Sequence, residues 1–136
     1  MHRIVLAVTL TAIFAASARW TLAQQPAQQP LFTGTSTAMD GKDLSVARRG
    51  FEKGARTYWH SHSNGQLLMV EKGSMRLQKR GERMKELIEG GADYTAPNVV
   101  HWHGATPGKE LVQINVGFGG ETKWLEAVTE AQYSGK

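Results

Sequence analysis

The chain has no cysteine and only four prolines in 136 residues. The first absence excludes disulfides, thiolate metal sites, a nucleophilic thiol and a lipid anchor on cysteine, so stability must come from packing and from whatever ion the fold can hold. A run long enough to span a membrane is also missing. The apolar stretch over residues 4–16 falls short of the ~20 residues a spanning helix needs. It follows a basic start at His2 and Arg3 and leads into small residues at Ala16-Ser17-Ala18 and Thr21-Leu22-Ala23. That order outlines a secretory signal peptide over residues 1–23, cut after Ala18 or after Ala23. We therefore expect a periplasmic or secreted protein with no membrane attachment once the signal is removed.

Charge of one sign is scarce as well. The formal balance is +4, and removal of Arg3 and Arg19 with the signal leaves fourteen basic against twelve acidic residues. Arg48, Arg49, Arg76, Lys79, Arg80, Arg83 and Lys85 cluster in sequence, but they alternate with apolar residues or fill turns. Such residues form a solvated strand face rather than a nucleic-acid site, so no nucleic-acid partner is expected. Residues 24–30 are rich in Gln, Ala and Pro and read as a flexible leader, followed by one domain over 31–136. Within it, 31–35 supplies an edge strand or an arm laid on a partner subunit, and a homodimer or homotetramer is expected.

Helical periodicity is nearly absent. Short runs over 44–52, 56–62, 66–72 and 74–79 are separated by Gly54, Gly65, Gly73 and Gly81. Further runs over 84–88, 93–96, 99–104 and 110–118 follow the same habit. This spacing predicts an all-β fold, an antiparallel sandwich or barrel. Only the end differs: Thr129-Glu130-Ala131-Gln132 has the form of a capping box and predicts a short helix over 130–133.

Histidine is the last scarce residue, and its distribution carries the function. There are five, one of them His2 in the removable segment; the others are His60, His62, His101 and His103. In an extended strand, residues two apart share a face at roughly 6.5–7 Å, so each pair can aim two imidazoles at one point. The tight turn Ser63-Asn64-Gly65 lets Gln66 open the next strand and fold back toward the first pair. His60, His62, Gln66 and one of His101 or His103 thus assemble three nitrogens and one oxygen, a set that holds one divalent transition metal. Manganese, iron, cobalt, nickel and zinc all accept it. Trp59 and Trp102 alternate with the histidines and should face a second layer or a dimer contact. Tyr58 falls on the histidine face and is expected to line the pocket. Leu111, Gln113 and Asn115 share another strand face and form a second wall. Met69 and Met75 are expected in the core.

The pattern Gly54-x5-His60-x-His62-x3-Gln66-x6-Gly73 is similar to the first cupin motif, with Gln66 where most cupins carry glutamate. Gly91-x5-Pro97-Asn98-Val99-Val100-His101 resembles the second motif, with Asn98 at a left-handed turn position. The tail Trp124-Leu125-Glu126 and residues 128–133 narrow the likeness to small single-domain bacterial cupins, including manganese-dependent hydroxynitrile lyases and relatives of carboxymuconolactone decarboxylases. The resemblance implies a cupin jelly roll with His60, His62, Gln66 and His101 as ligands, manganese as the cation, and His103 as an unligated acid/base. In the lyase members a further histidine lies twelve residues beyond the second-motif ligand; here that position is Gln113, which can bond a substrate but cannot exchange protons near neutral pH.

A neutral amide in place of a carboxylate leaves the cation's charge uncompensated, which favours Lewis-acid chemistry over oxygen activation. A lyase acting on a small oxygenated molecule, with cyanohydrin cleavage or synthesis as the specific case, is the first expectation. A dioxygenase on an enol or phenol and a non-catalytic periplasmic ligand-binding module are the alternatives.

Overall fold

A computed structural model describes residues 33–136. Residues Met39–Lys136 form one compact unit, and the exposed segment 33–38 belongs to another. The expected signal peptide, the leader and the first two residues of the predicted 31–35 anchor lie outside the described residues.

The compact unit holds eight strands and one helix: β1 (Ser45–Phe51), β2 (His60–His62), β3 (Gln66–Lys79), β4 (Lys85–Ile88), β5 (Ala92–Thr95), β6 (His101–Ala105), β7 (Leu111–Gly117), β8 (Thr122–Trp124) and α1 (Glu130–Ser134). Every pairing is antiparallel. The path runs β1-β7-β3-β6-β2-β8, with β4 and β5 also on β3. The first half of β3 lies between β5 and β7, and its second half lies between β4 and β6. One strand therefore serves both walls of a folded antiparallel sheet, the sandwich the strand spacing predicts and the jelly roll the family resemblance implies.

That continuity corrects the expectation that Gly73 separates two strands. The chain turns its corner without breaking: the ladder with β7 shifts register between Val70 and Lys72, a β-bulge. Gly73 takes a φ of +88°, and a Cβ there would stand 1.9 Å from the Glu110 carbonyl oxygen. Only glycine lets the two backbones approach so closely. The predicted strand over 56–62 is likewise shorter than expected. Arg56 makes one isolated bridge to Gly104, and regular pairing begins at His60.

Two apolar clusters brace the site. Leu68, Val70, Met75, Leu77, Ala105 and Leu111 fill the space between the walls. Each of the larger side chains among them contributes roughly 1.5–3 kcal/mol on leaving water. Trp59 and Trp102 meet edge to face at 6.5 Å and pack with Val128 and Tyr133 beneath α1. Both indoles are satisfied, Trp59 by Gln132 and Trp102 by Gln78. The tryptophans thus occupy a second layer behind the histidines. The helix begins as its sequence predicts, with Thr129 and Gln132 forming a reciprocal capping box. Met75 is buried in the core, whereas Met69 is 40% exposed because its strand position turns outward.

Candidate metal centre

Two hairpin-like returns bring the histidines together. His60 on β2 lies directly opposite His101 on β6. Between His62 and Gln66, Gly65 adopts a φ of +86°, and its amide bonds to the His62 carbonyl. A Cβ at Gly65 would lie 2.7 Å from the Thr95 oxygen, so the turn that starts β3 at Gln66 requires glycine. Asn98 takes a φ of +63° and donates its backbone N–H to the His62 carbonyl at 2.8 Å, which pins the approach to β6 against the first pair.

All four imidazoles converge. The ring centroid of His60 stands 4.3 Å from His101, 5.1 Å from His62 and 5.3 Å from His103. Candidate ligand atoms of His60, His101 and His103 lie within 4.8 Å of one another. By distance, then, the structure groups His103 with His60 and His101, where the family resemblance puts His62. The His62 ring is nonetheless as near, 5.1 Å from His60 and 5.6 Å from His101 against 5.3 and 5.9 Å for His103, and its Nε2 is buried without a hydrogen-bond partner.

Each ring is oriented from behind. His60 Nδ1 meets the Tyr58 carbonyl at 2.9 Å, and His101 Nδ1 meets the Val99 carbonyl at 3.1 Å. A carbonyl only accepts, so Nδ1 carries the proton in both and Nε2 presents its lone pair. His62 Nδ1 pairs with Thr122 Oγ1 and His103 Nδ1 with Gln113 Oε1, each at 3.0 Å. Gln66 Oε1 stands 3.0 Å from His101 Nε2. Burial keeps these rings neutral. It pushes His60 down to about 4, against the backbone hydrogen bond to Tyr58, which raises it, and with a smaller lowering from His62. Burial and then His60 push His101 down to about 3. Burial also lowers His62, and it holds the fully enclosed His103 well below the usual imidazole range. Neutral imidazoles, a buried unpartnered nitrogen and a carboxamide oxygen are the donor set a divalent transition cation takes, so the residues fit such an ion.

The rings of His60, His62 and His103 open onto a cavity of about 410 Å³, which Gln66, Gln113 and Asn115 also line; His101 is not part of its lining. A larger cavity of about 580 Å³ lies among Lys53, Lys72, Lys109 and Glu110 and holds none of the imidazoles. Two expected pocket residues lie elsewhere. Tyr58 is 57% exposed and outside the lining, because strand alternation begins only at His60 and does not extend back to it. Leu111 shares the Gln113 face, but beside Gly73 the walls close and that face becomes apolar core. The cavity also contains residues the sequence reading missed. Thr122 and Trp124 come from β8, where Thr122 pairs with His62 and Trp124 with His60. The Trp124 ring lies 4.8 Å from that of His60. Their two-residue spacing, like that of the histidines, was the available signal. Phe51 meets His103 edge to face at 6.0 Å, and Arg49, Arg56 and Thr57 complete the lining.

The sequence matches the Cupin domain family over residues 48–117. It is similar to an (R)-mandelonitrile lyase of Granulicella tundricola, 35% identical over 107 residues that cover 76% of this chain and 79% of that protein. Among solved structures it resembles a cupin-like protein from Thermotoga maritima, with 45% identity and a TM-score of 0.65 over 67% of this chain and 71% of that one. A DMSP lyase, DddQ, from Ruegeria pomeroyi shares the fold alone, with 13% identity and a TM-score of 0.56 over 64% of this chain and 45% of that one. With its histidine pairs folded onto one centre and the family match spanning β1 to β7, the chain belongs to the cupin family.

Proposed function

We propose that this protein is a divalent-cation-dependent lyase acting on a small hydroxylated molecule, with cyanohydrin cleavage or synthesis as its reaction. The observation that carries the reading is His103: a buried imidazole in the same cavity as the donor set, oriented through Nδ1 by Gln113. The mandelonitrile lyase relative supports the choice of reaction.

His60, His62, Gln66 and His101 would hold the cation, manganese being the ion the family resemblance implies. When bound, it supplies Lewis acidity toward a substrate oxygen. The buried, unpartnered Nε2 of His62 favours that ring over His103 as the third nitrogen. His103 is then left to move the proton. With the Gln113 oxygen facing it, Nδ1 holds a hydrogen and Nε2 accepts. In the cleavage direction Nε2 takes the substrate hydroxyl proton, the bond to the nitrile carbon breaks, and its electron pair leaves on cyanide. The hydroxyl carbon becomes a carbonyl, and His103 returns the proton to cyanide, so a cyanohydrin yields an aldehyde or ketone and hydrogen cyanide. Trp124 and Phe51 supply apolar walls that limit water around the reacting bond.

The test is benzaldehyde release from mandelonitrile by purified protein, with manganese and after chelation. Release that depends on the cation is expected; no release with any first-row divalent ion, from mandelonitrile or from a cyanohydrin bearing a carboxylate, would remove the lyase reading.

A further inference from the structure

Two arginines, Arg49 and Arg56, line the imidazole cavity, and no carboxylate does. Arg56 is committed to the fold. Its guanidinium donates to the Val128 carbonyl at 3.2 Å and to Glu130 at 2.5 Å, and it lies 4.2 Å over the Tyr133 ring. Arg49 has no such commitment among the described residues. On β1 the neighbouring Arg48 turns outward and pairs with Glu71 at 2.6 Å. Arg49 takes the opposite face, in register with Gln113, and is both exposed and part of the cavity lining. That combination places its charge at the mouth.

Asn115, which pairs with Ala47 while Arg49 pairs with Gln113, lines the same cavity with Oδ1 buried and unpartnered. That oxygen is an acceptor and is satisfied by a donor such as a substrate hydroxyl, so the anion falls to Arg49. A planar guanidinium in a cavity lined by no carboxylate suits a substrate carboxylate, whose two oxygens take parallel N–H bonds.

We propose that the substrate of this cavity carries a carboxylate, held at the mouth by Arg49. The inference rests on the lyase reading only in naming the reaction, which then narrows to cyanohydrins of oxo acids. Arg49 is a specificity residue and takes no part in breaking the bond.

The experiment compares phenylacetate with phenylacetamide, similar in shape and different in charge, by calorimetry on the protein as purified. Wild type should bind the carboxylate at least tenfold more tightly, Arg49→Met should bind the two alike, and Arg49→Lys should keep part of the preference. Equal affinities in wild type would overturn the proposal, as would a preference that survives in Arg49→Met, which would assign it to the imidazole cluster. Inorganic phosphate competing as well as phenylacetate would overturn the choice of carboxylate. So would an Arg49→Met protein that self-associates yet binds both probes as wild type does, since Arg49 would then only guard an edge strand. Loss of cyanohydrin turnover with the carboxylate preference intact would remove the lyase reading alone.

Discussion

Gln66 Oε1 sits 3.0 Å from His101 Nε2, although thirty-five residues separate them in the chain. The Val99 carbonyl fixes the His101 proton on Nδ1, so two lone pairs face each other. That contact is favourable with a cation shared between them, or with the amide turned to donate its N–H. The spacing matches the ~3.0 Å between neighbouring ligands held at right angles ~2.1 Å from one ion.

Exchanging this amide for a carboxylate is therefore informative. Gln66→Glu should bind manganese about tenfold or more tightly, because a negative ligand offsets the ion's charge. The same offset weakens its Lewis acidity, so turnover should fall. Cation titration followed by kinetics checks both; tighter binding with faster turnover would contradict the proposed role of the neutral amide.

His101 and His103 should separate binding from chemistry. His101→Ala should lose the cation, measured by elemental analysis. His103→Ala should keep it while turnover drops by roughly 10²–10⁴, the usual contribution of a general acid/base. Loss of the cation from His103→Ala instead would make His103 the third nitrogen ligand, as the 4.8 Å grouping of its ligand atom with those of His60 and His101 allows.

Acid should weaken the fold in two stages. Burial holds His60 at about 4 and His101 at about 3, against 6.5 for free imidazole. Between those values the unfolded chain binds protons that the folded protein refuses, so stability is full above about pH 6.5 and falls as pH drops toward about 3. Urea unfolding of chelated protein should lose about 1 kcal/mol or more per pH unit in that window. Asp93 contributes later. Burial alone would raise its pKa, but hydrogen bonds from Lys85 and Lys79 outweigh it and hold the carboxylate below 3.8. Its share is lost only below about pH 4. Constant stability between about pH 6.5 and 4 would show that the imidazoles are not kept neutral by burial.

The corner of β3 should tolerate no side chain. Gly73→Ala would place a methyl 1.9 Å from the Glu110 oxygen at a φ of +88°. A loss of roughly 2–4 kcal/mol is expected, read as a lowered melting temperature. Gly108→Ala, with nothing within 4 Å of the added atom, serves as the control.

Much of this protein was legible in its sequence, for local reasons. Alternation along a strand puts His60 beside His62 and His101 beside His103, and it sends Trp59 and Trp102 to the opposite layer. The capping box and the left-handed Asn98 are equally local, since each depends on a few neighbouring backbone angles. What alternation could not give was where a strand begins. Tyr58 lies two residues before His60, but the chain is not in the ladder there, and the side chain points to solvent. Nor could composition show that Gly73 bends one strand rather than separating two, because a glycine with positive φ serves either purpose.

The sequence by itself determined that four imidazoles would stand in pairs, because the period of a β-strand is fixed by backbone sterics. Tertiary structure alone decided which groups surround them. Thr122 reaches His62 and Trp124 leans on His60 only because β8 closes against β2, sixty residues away along the chain. Arg49 faces Gln113 only because β1 pairs with β7 in one register of several its residues would allow. Such contacts depend on how distant strands align, and that alignment is set by packing of the whole core rather than by any one segment.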